Sequence, residues 1–160
     1  MRGRGQGHRL ELVSQDPCDV LRDYLRAWEN ADVPEMERLV APAFEHVVNG
    51  RREGREGLLA RVRGSDEVIS DRRFEIDVLI AEGTSVACRC RMTGKHTGAM
   101  PIPPPVAAVF GVEQIEPTMR QVSMSGMILA TIEEGQLQSG YGEWDRLGLL
   151  TQMIAPAGSE

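Results

Sequence analysis

The spacing of hydrophobic residues changes once along the chain and divides it into a helical first part and a β-rich second part. Residues 17–31 are predicted to form a helix, with Asp16 at the N-cap position and Pro17 in the first turn. Its apolar stripe consists of Val20, Leu21, Tyr24, Leu25 and Trp28. A stripe of this kind must cover another apolar surface of the fold.

Two shorter helices are predicted to follow the first. Asp32 and Glu35 have the spacing of a capping box, which predicts the start of a second helix. Residues 44–48 are β-prone, residues 50–54 are interpreted as a polar turn, and residues 55–63 are predicted to form the third helix.

From residue 74 onward the hydrophobic period is two, which is typical of half-buried strands. The alternating residues are Phe74, Ile76, Val78 and Ile80, then Val86, Cys88, Cys90 and Met92 after a turn. A second hairpin is predicted from residues 119–132 and 136–145, before a helical turn at 147–153. Helices followed by long strands predict an α+β fold, in which a curved antiparallel sheet and three helices enclose an apolar pocket.

Length and charge narrow the possible functions. The chain has 160 residues, of which 41% are hydrophobic, and these values suit a single domain. We predict that this domain spans residues 16–155 and that the tails at 1–15 and 156–160 are disordered. A net charge of −6 argues against nucleic acid or an anionic membrane as the main partner. No apolar run suits a membrane span or a secretory signal, so we predict a cytoplasmic protein.

The sequence lacks the motifs that are typical of several common classes of binding and catalytic site. Cys18, Cys88 and Cys90 form an odd set without a Cys-x-x-Cys pair, so neither a disulfide framework nor a metal site is predicted. Glycine-rich phosphate loops and the G-x-S-x-G and H-E-x-x-H motifs are missing. We therefore expect acid/base chemistry in an apolar cavity, with no cofactor.

The last predicted strand contains the strongest candidate for that chemistry. Alternation places Tyr141, Glu143 and Asp145 on one face and Gly142 and Trp144 on the other. At least one acid is expected to point inward, where burial raises the pKa of a carboxyl group and improves it as a proton acceptor. Alternatively, Asp145 caps the final helix, and the local pattern leaves both interpretations open.

Two histidines are further catalytic candidates. His46 shares a strand face with Phe44 and Val48, where histidine is commonly a hydrogen-bonded core residue. His96 ends a strand beside the proline-rich segment, where it is either a turn residue or close to the point of ligand entry. The segment at residues 100–117 is interpreted as a mobile lid or, equally, as a surface connector.

The pocket is expected to bind its substrate through aromatic, methionine and polar side chains. Tyr24 and Trp28 are core residues by default, although a buried tyrosine hydroxyl needs a partner and can orient a ligand. The candidate substrate-binding residues are Tyr24, Trp28, Asn49, Met92, Met127, Tyr141, Glu143 and Trp144.

Two stretches of the chain resemble a known family. The run Val86-Ala-Cys-Arg-Cys-Arg-Met-Thr-Gly-Lys-His-Thr-Gly98 and the closing Glu143-Trp-Asp-Arg-Leu-Gly-Leu-Leu-Thr-Gln152 resemble the SnoaL-like polyketide cyclase (ester cyclase) family, and the similarity spans about residues 17–154. This resemblance implies the α+β cone of nuclear transport factor two and ketosteroid isomerase, commonly as a homodimer. It also implies ring closure by intramolecular aldol condensation during polyketide antibiotic biosynthesis, with a small-molecule substrate and no cofactor.

The resemblance also implies roles for individual residues. The family's essential aspartate falls on Asp145, which would remove an acidic C–H proton and later return it to the new alkoxide. His46 and His96 match positions near the pocket, where they would donate hydrogen bonds to substrate oxygens. The chain departs from the family in the run Pro103-Pro-Pro105, which is followed by an apolar insertion that extends to about Thr118.

Two other kinds of function remain open at this stage. One is a different cyclisation in the same fold, either epoxide opening to a cyclic ether or a cycloaddition guided by cavity shape. The other is a noncatalytic domain that binds a small molecule or assists assembly, because fold alone does not determine function.

Overall fold

A computed structural model of the protein describes residues 15–154. The predicted tails lie outside the described residues, apart from Gln15. Within the described range the elements are α1 (Pro17–Glu29), α2 (Val33–Leu39), β1 (Val40–Val48), β2 (Arg51–Gly54), α3 (Arg55–Val68), β3 (Ile69–Glu82), β4 (Ser85–His96), β5 (Met100–Pro101), α4 (Pro104–Phe110), β6 (Gln114–Ile115), β7 (Gln121–Glu133), β8 (Gln136–Trp144) and α5 (Arg146–Ile154).

The predicted α+β architecture is confirmed. Six strands form one curved sheet in the order β2-β1-β8-β7-β4-β3, and β5 pairs with β6 in a separate small ribbon. All neighbours in the large sheet are antiparallel except β1 and β8, which run parallel. Among the described residues, no helix is both long and apolar enough to span a membrane.

The predicted helix starts are confirmed by their capping contacts. The Asp16 side chain accepts a hydrogen bond from the Cys18 N–H at 2.8 Å, and Asp32 accepts one from the Glu35 N–H at 3.0 Å. The predicted end of α3 is wrong, because the helix continues through Gly64 to Val68. A single glycine costs a helix only about 1 kcal/mol, and Val68 packs against a hydrophobic cluster, which favours the longer helix.

The apolar alternation of β3 does not define a single core-facing side. The pairing with β4 shifts between Ile76 and Val78, so a β-bulge reverses the facing of the residues that follow. Leu79 consequently packs against the core, whereas Val78 and Ile80 are 44% and 61% exposed. The two-residue alternation that predicts a half-buried strand therefore does not place Val78 and Ile80 on the same face as Phe74.

The segment at residues 100–117 is folded against one end of the sheet. Its small ribbon, β5 with β6, and α4 bring Ile102 and Ile115 into a buried cluster with Met92, Val122 and Leu149. Met100 and Pro101 also reach the cavity described below. The segment thus forms part of the wall, and its movement as a lid stays a prediction.

Candidate active site

A cavity of about 370 Å³ lies between α1, α3 and the concave side of the large sheet. Its apolar lining includes Leu25, Phe44, Val48, Val68, Ile69, Phe74, Met92, Met100, Met124, Ile128, Ala130 and Leu137. Its polar lining includes Tyr24, Trp28, His46, Arg61, Ser65, Arg72 and Arg146. A cavity of this size and composition suits a small organic molecule that is held by a few polar groups.

His46, Glu53 and Arg61 form a hydrogen-bonded group at this cavity. His46 Nε2 lies 2.8 Å from Glu53 Oε2, and the Arg61 Nη2 atom lies 2.6 Å from the same oxygen. Arg61 Nη2 also lies 3.2 Å from His46 Nε2. Because a guanidinium only donates hydrogen bonds, both His46 and Arg61 are best assigned as donors to the carboxylate. This assignment makes Nδ1 the basic nitrogen of a neutral His46.

Burial and charge support a neutral His46 beside an ionised Glu53. Burial lowers the pKa of His46, and the hydrogen bond to Glu53, which raises it, does not cancel that effect; the charge of Arg61 lowers it further. Burial by itself raises the pKa of Glu53, but the hydrogen bond from His46 and the contacts with Arg61 bring the net pKa below its ordinary value. A neutral imidazole held by a carboxylate has the arrangement of a general base.

Tyr24 and Trp28 extend this polar group along α1. Burial raises the pKa of the Tyr24 hydroxyl, while a hydrogen bond from the Trp28 side chain lowers it by less. Arg61 lies over the Trp28 ring, with its guanidinium carbon 5.3 Å from the ring centroid. The tyrosine therefore stays protonated and is able to donate to an oxygen of a ligand. We call Tyr24, Trp28, His46, Arg61 and Arg146 the polar end of the cavity.

Arg72 stabilises the wall of the cavity through contacts with other protein groups. It donates hydrogen bonds to the backbone oxygens of Trp28 and Ile69 and forms an ion pair with Asp66 at 2.8 Å. These contacts tie the end of α1 to the start of β3. Its donors are occupied by protein groups and hold the helix that carries Tyr24.

The inward face of β8 is formed by Gly140, Gly142 and Trp144. A Cβ atom on Gly142 would contact the Trp144 indole, and one on Gly140 would contact His46. Glu143 and Tyr141 point to the outer face, where Tyr141 is 50% exposed beside its cross-strand partner Leu129. Tyr141 is nevertheless among the residues that line the cavity. The expectation that an acid of this strand points inward is wrong, because the strand phase places Trp144 there instead.

Asp145 lies at the start of α5 and is exposed. Its Oδ1 accepts a hydrogen bond from the Gly148 N–H at 2.8 Å, which is the contact of an N-cap residue. Asp145 is not among the residues that line the cavity. The geometry favours the capping interpretation, and the catalytic role of Asp145 stays a prediction.

Three other candidates lie away from the cavity. His96 is fully buried, and its Nδ1 lies 3.0 Å from the Thr118 hydroxyl oxygen. Asn49 bonds to the backbone of Trp144 through both ends of its amide, which joins the end of β1 to the end of β8. Met127 is 60% exposed on the outer face, so its predicted place in the pocket is wrong, whereas Met92 does line the cavity.

Sequence reasoning missed Glu53 and Arg61, although a signal for Glu53 was present. Asn49-Gly50 is a typical two-residue hairpin turn, and both residues have the positive φ angles, 47° and 75°, that such a turn requires. A two-residue turn at this point sets His46 directly opposite Glu53, as observed. Arg61 lies on the side of α3 that lines the cavity with Ser65 and Val68, and no local pattern distinguishes it from the other arginines of that helix.

Metal ligands are not clustered in the described part of the chain. Within residues 15–154, no group of three or more His, Cys, Asp and Glu side chains is arranged to hold a metal ion.

Comparison with known proteins gives a consistent assignment. Residues 18–153 match the family model described as SnoaL-like polyketide cyclase. No curated protein matches the chain. Many solved structures share the fold.

Three of the solved structures illustrate the similarity. A proposed SnoaL-like polyketide cyclase from Jannaschia sp. CCS1 aligns with a TM-score of 0.71 at 18% identity over 96% of this chain and 99% of that one. IdmH from Streptomyces antibioticus, a proposed polyketide cyclase, gives 0.70 at 20% identity over 86% and 97%. AclR from Streptomyces galilaeus, a proposed hydroxylase, gives 0.70 at 17% identity over 86% and 94%. At these identities the similarity shows the fold alone.

Proposed function

The chain belongs to the SnoaL-like polyketide cyclase family, and on that premise we propose that it closes a ring within a polyketide intermediate of natural-product biosynthesis. The reaction proposed is an intramolecular aldol condensation without a cofactor. The observation that carries the proposal is the pairing of His46 with Glu53, at 2.8 Å, on the wall of an otherwise mostly apolar cavity.

His46 is the proton acceptor in this proposal. Its Nδ1 removes an acidic C–H proton that lies between two substrate carbonyl groups, and the enolate carbon attacks a second carbonyl to form the new C–C bond. The imidazolium then returns the proton to the resulting alkoxide, so no proton is gained or lost overall. Glu53 stabilises the positive charge on His46 between the two transfers.

The remaining polar groups serve the oxygens on which negative charge develops. The Tyr24 hydroxyl donates from a buried position, and Arg61 supplies a positive charge. The apolar wall holds the flexible substrate in a folded conformer and excludes water from the enolate. Trp144 and Phe74, whose ring centroids lie 6.0 Å apart, form one side of that wall.

The function can be tested by incubating the protein with linear poly-β-ketone precursors and separating the products by liquid chromatography and mass spectrometry. An aldol product has the mass of its precursor, or that mass less one water after dehydration. We expect such products with the wild-type protein and only background amounts with His46→Gln. Tight binding without any product would favour the noncatalytic binding domain instead.

The pH dependence of the reaction should report on Glu53. In the wild type, kcat/KM should fall on the acid side below the ordinary histidine pKa of about 6.5, because burial lowers the pKa of His46 and the neutral form is the base. Glu53 raises that pKa, so Glu53→Gln should move the acid limb to still lower pH and reduce kcat by roughly 10- to 100-fold.

Glu45→Gln is the matched control for this experiment. Glu45 lies next to His46 on β1, but its carboxylate is exposed and pairs with Arg52 at 2.7 Å. Glu45→Gln should show the same dependence of kcat/KM on pH as the wild type. An unchanged acid limb in Glu53→Gln would contradict the assignment of His46 as the base.

A homodimer through the outer sheet face is also proposed. Large apolar side chains are exposed there on β3, β7 and β8: Val78, Ile80, Met127, Leu129 and Tyr141. Contiguous apolar patches on a sheet are typical of interaction surfaces. We expect sedimentation velocity at micromolar concentration to show a dimer, which Leu129→Glu converts to a monomer.

Leu147→Glu is the control for assembly, since Leu147 is 60% exposed on α5 and does not belong to this face. It should remain dimeric. A wild-type monomer across the micromolar range would contradict the proposed assembly.

A further inference from the structure

Arginines outnumber acids at the polar end of the cavity. Arg61 and Arg146 line the wall, Arg51 lies at the start of β2, and Glu53 lies on the same strand and contacts Arg61. Glu53 is already engaged by His46 and Arg61. Among the described residues, neither Arg51 nor Arg146 forms an ion pair.

The electrostatics of Arg146 show that positive charge is in excess here. Burial lowers its pKa first, and the positive charges of Arg61 and Arg51 lower it further, while the attraction of Glu53 is smaller than either effect. Arg146 is nevertheless exposed to solvent, so the repulsion is partly screened. An anion bound at this point would relieve it.

The acids that neighbour Arg146 in sequence do not supply that anion. Glu143 points to the outer face of β8, opposite Met127. Asp145 turns its carboxylate toward the Gly148 N–H. The alternation of the strand therefore turns the Glu143 carboxylate away from Arg146, and the helix cap does the same for the Asp145 carboxylate.

Another part of the cavity wall is apolar. Met92 and Met124 are cross-strand partners on β4 and β7, and Met100 approaches them from β5. Flexible thioether side chains accept apolar groups of varied shape. The cavity wall therefore has a cationic part and an apolar part.

We infer that this enzyme acts on substrates that carry a free carboxylate, which binds between Arg146 and Arg61 while the carbon skeleton extends toward Met92 and Met124. A guanidinium matches a carboxylate through two parallel hydrogen bonds, whereas an ester offers no charge to the same groups. The inference rests on the proposed function, since it places the carboxylate on the molecule that is cyclised. It makes the free acid, and not its methyl ester, the preferred form of the substrate.

The test uses an unreactive pair of probes, 4-phenylbutanoate and its methyl ester. Both tryptophans of the chain, Trp28 and Trp144, line the cavity, so quenching of tryptophan fluorescence reports binding in it. We expect the acid to bind about 10-fold more tightly than the ester, the effect of one charge-assisted contact that is partly open to solvent. Raising the salt concentration should weaken binding of the acid alone.

Arg146→Gln should remove most of this preference by weakening the acid and leaving the ester unchanged. Arg63→Gln is the matched control, because Arg63 is an exposed arginine of α3 that does not line the cavity. Arg51→Gln provides a second variant with the same expected direction and a smaller effect. The far-ultraviolet circular dichroism of each variant verifies that it is folded.

Equal affinities of the acid and the ester in the wild type would overturn the inference. So would an acid preference that survives in both Arg146→Gln and Arg51→Gln. Because the probes do not react, these outcomes are independent of cyclisation. If the protein cyclises methyl esters and shows no preference for the acid, the inferred carboxylate site is refuted and the proposed cyclase function stands. If it prefers the acid but cyclises nothing, the proposed cyclase function is refuted and the carboxylate site stands.

Discussion

His46→Gln is expected to lower kcat by roughly 10²- to 10⁴-fold, the usual contribution of a general acid/base group. Glutamine lacks a basic nitrogen, but its amide is able to donate to Glu53 as the imidazole does. The hydrogen bond within the wall is therefore replaced, and the melting temperature should change little. Single-turnover measurements on a cyclised substrate, together with thermal unfolding, separate the loss of the base from a loss of folding.

Asp145→Asn is the decisive comparison for this prediction. The family resemblance implies that Asp145 is the essential base. In that case Asp145→Asn, and not His46→Gln, would show the large loss of kcat. In the structure Asp145 caps α5, and asparagine caps a helix about as well as aspartate. We therefore expect both kcat and stability of Asp145→Asn to stay close to wild type. A stable Asp145→Asn protein with strongly reduced kcat, beside an active His46→Gln protein, would reverse our assignment.

Leu21→Ala is expected to lower the free energy of unfolding by about 2 to 5 kcal/mol, the range found for leucine truncation in protein cores. Leu21 is fully buried in α1, where it belongs to the main hydrophobic cluster between the helices and the sheet. For a chain of this length that loss corresponds to a fall in melting temperature of roughly 5 to 15 °C. Urea unfolding followed by circular dichroism measures it directly.

Leu147→Ala is the matched control for the stability experiment. Leu147 is 60% exposed on α5, so the same truncation should change the free energy of unfolding by less than about 0.5 kcal/mol. If Leu21→Ala costs no more than Leu147→Ala, α1 does not close the core in the way described. The positions of Tyr24 and Trp28 on the cavity wall would then be in doubt as well.

Local patterns were sufficient where one residue and its near neighbours decide the outcome. The caps at Asp16 and Asp32 were predicted from spacing alone, because each is a contact within one helical turn. The alternation of β4 was also predicted, since that strand runs without interruption against its neighbour in the sheet interior. The bulge in β3 was not, because an extra residue leaves no mark on the hydrophobic period before the partner strand is known.

The candidate site shows the same division. His46, Tyr24 and Trp28 were selected from the sequence and do line the cavity. Glu53 follows from the Asn49-Gly50 hairpin once its register is counted. It was missed because residues 50–54 were interpreted as a polar turn, which is wrong, since Arg51–Gly54 is a strand paired with β1.

By itself, then, the sequence determined the order of the long helices and strands, the apolar stripe of α1 and the capping of the first two helices. These depend on contacts between residues close in the chain. Only the tertiary structure decided which face of β8 points inward and which charged groups meet His46. Both depend on how β1 pairs with β2 and β8 and on how α3 lies across the sheet. These are contacts between distant residues, and local periodicity contains no information about them.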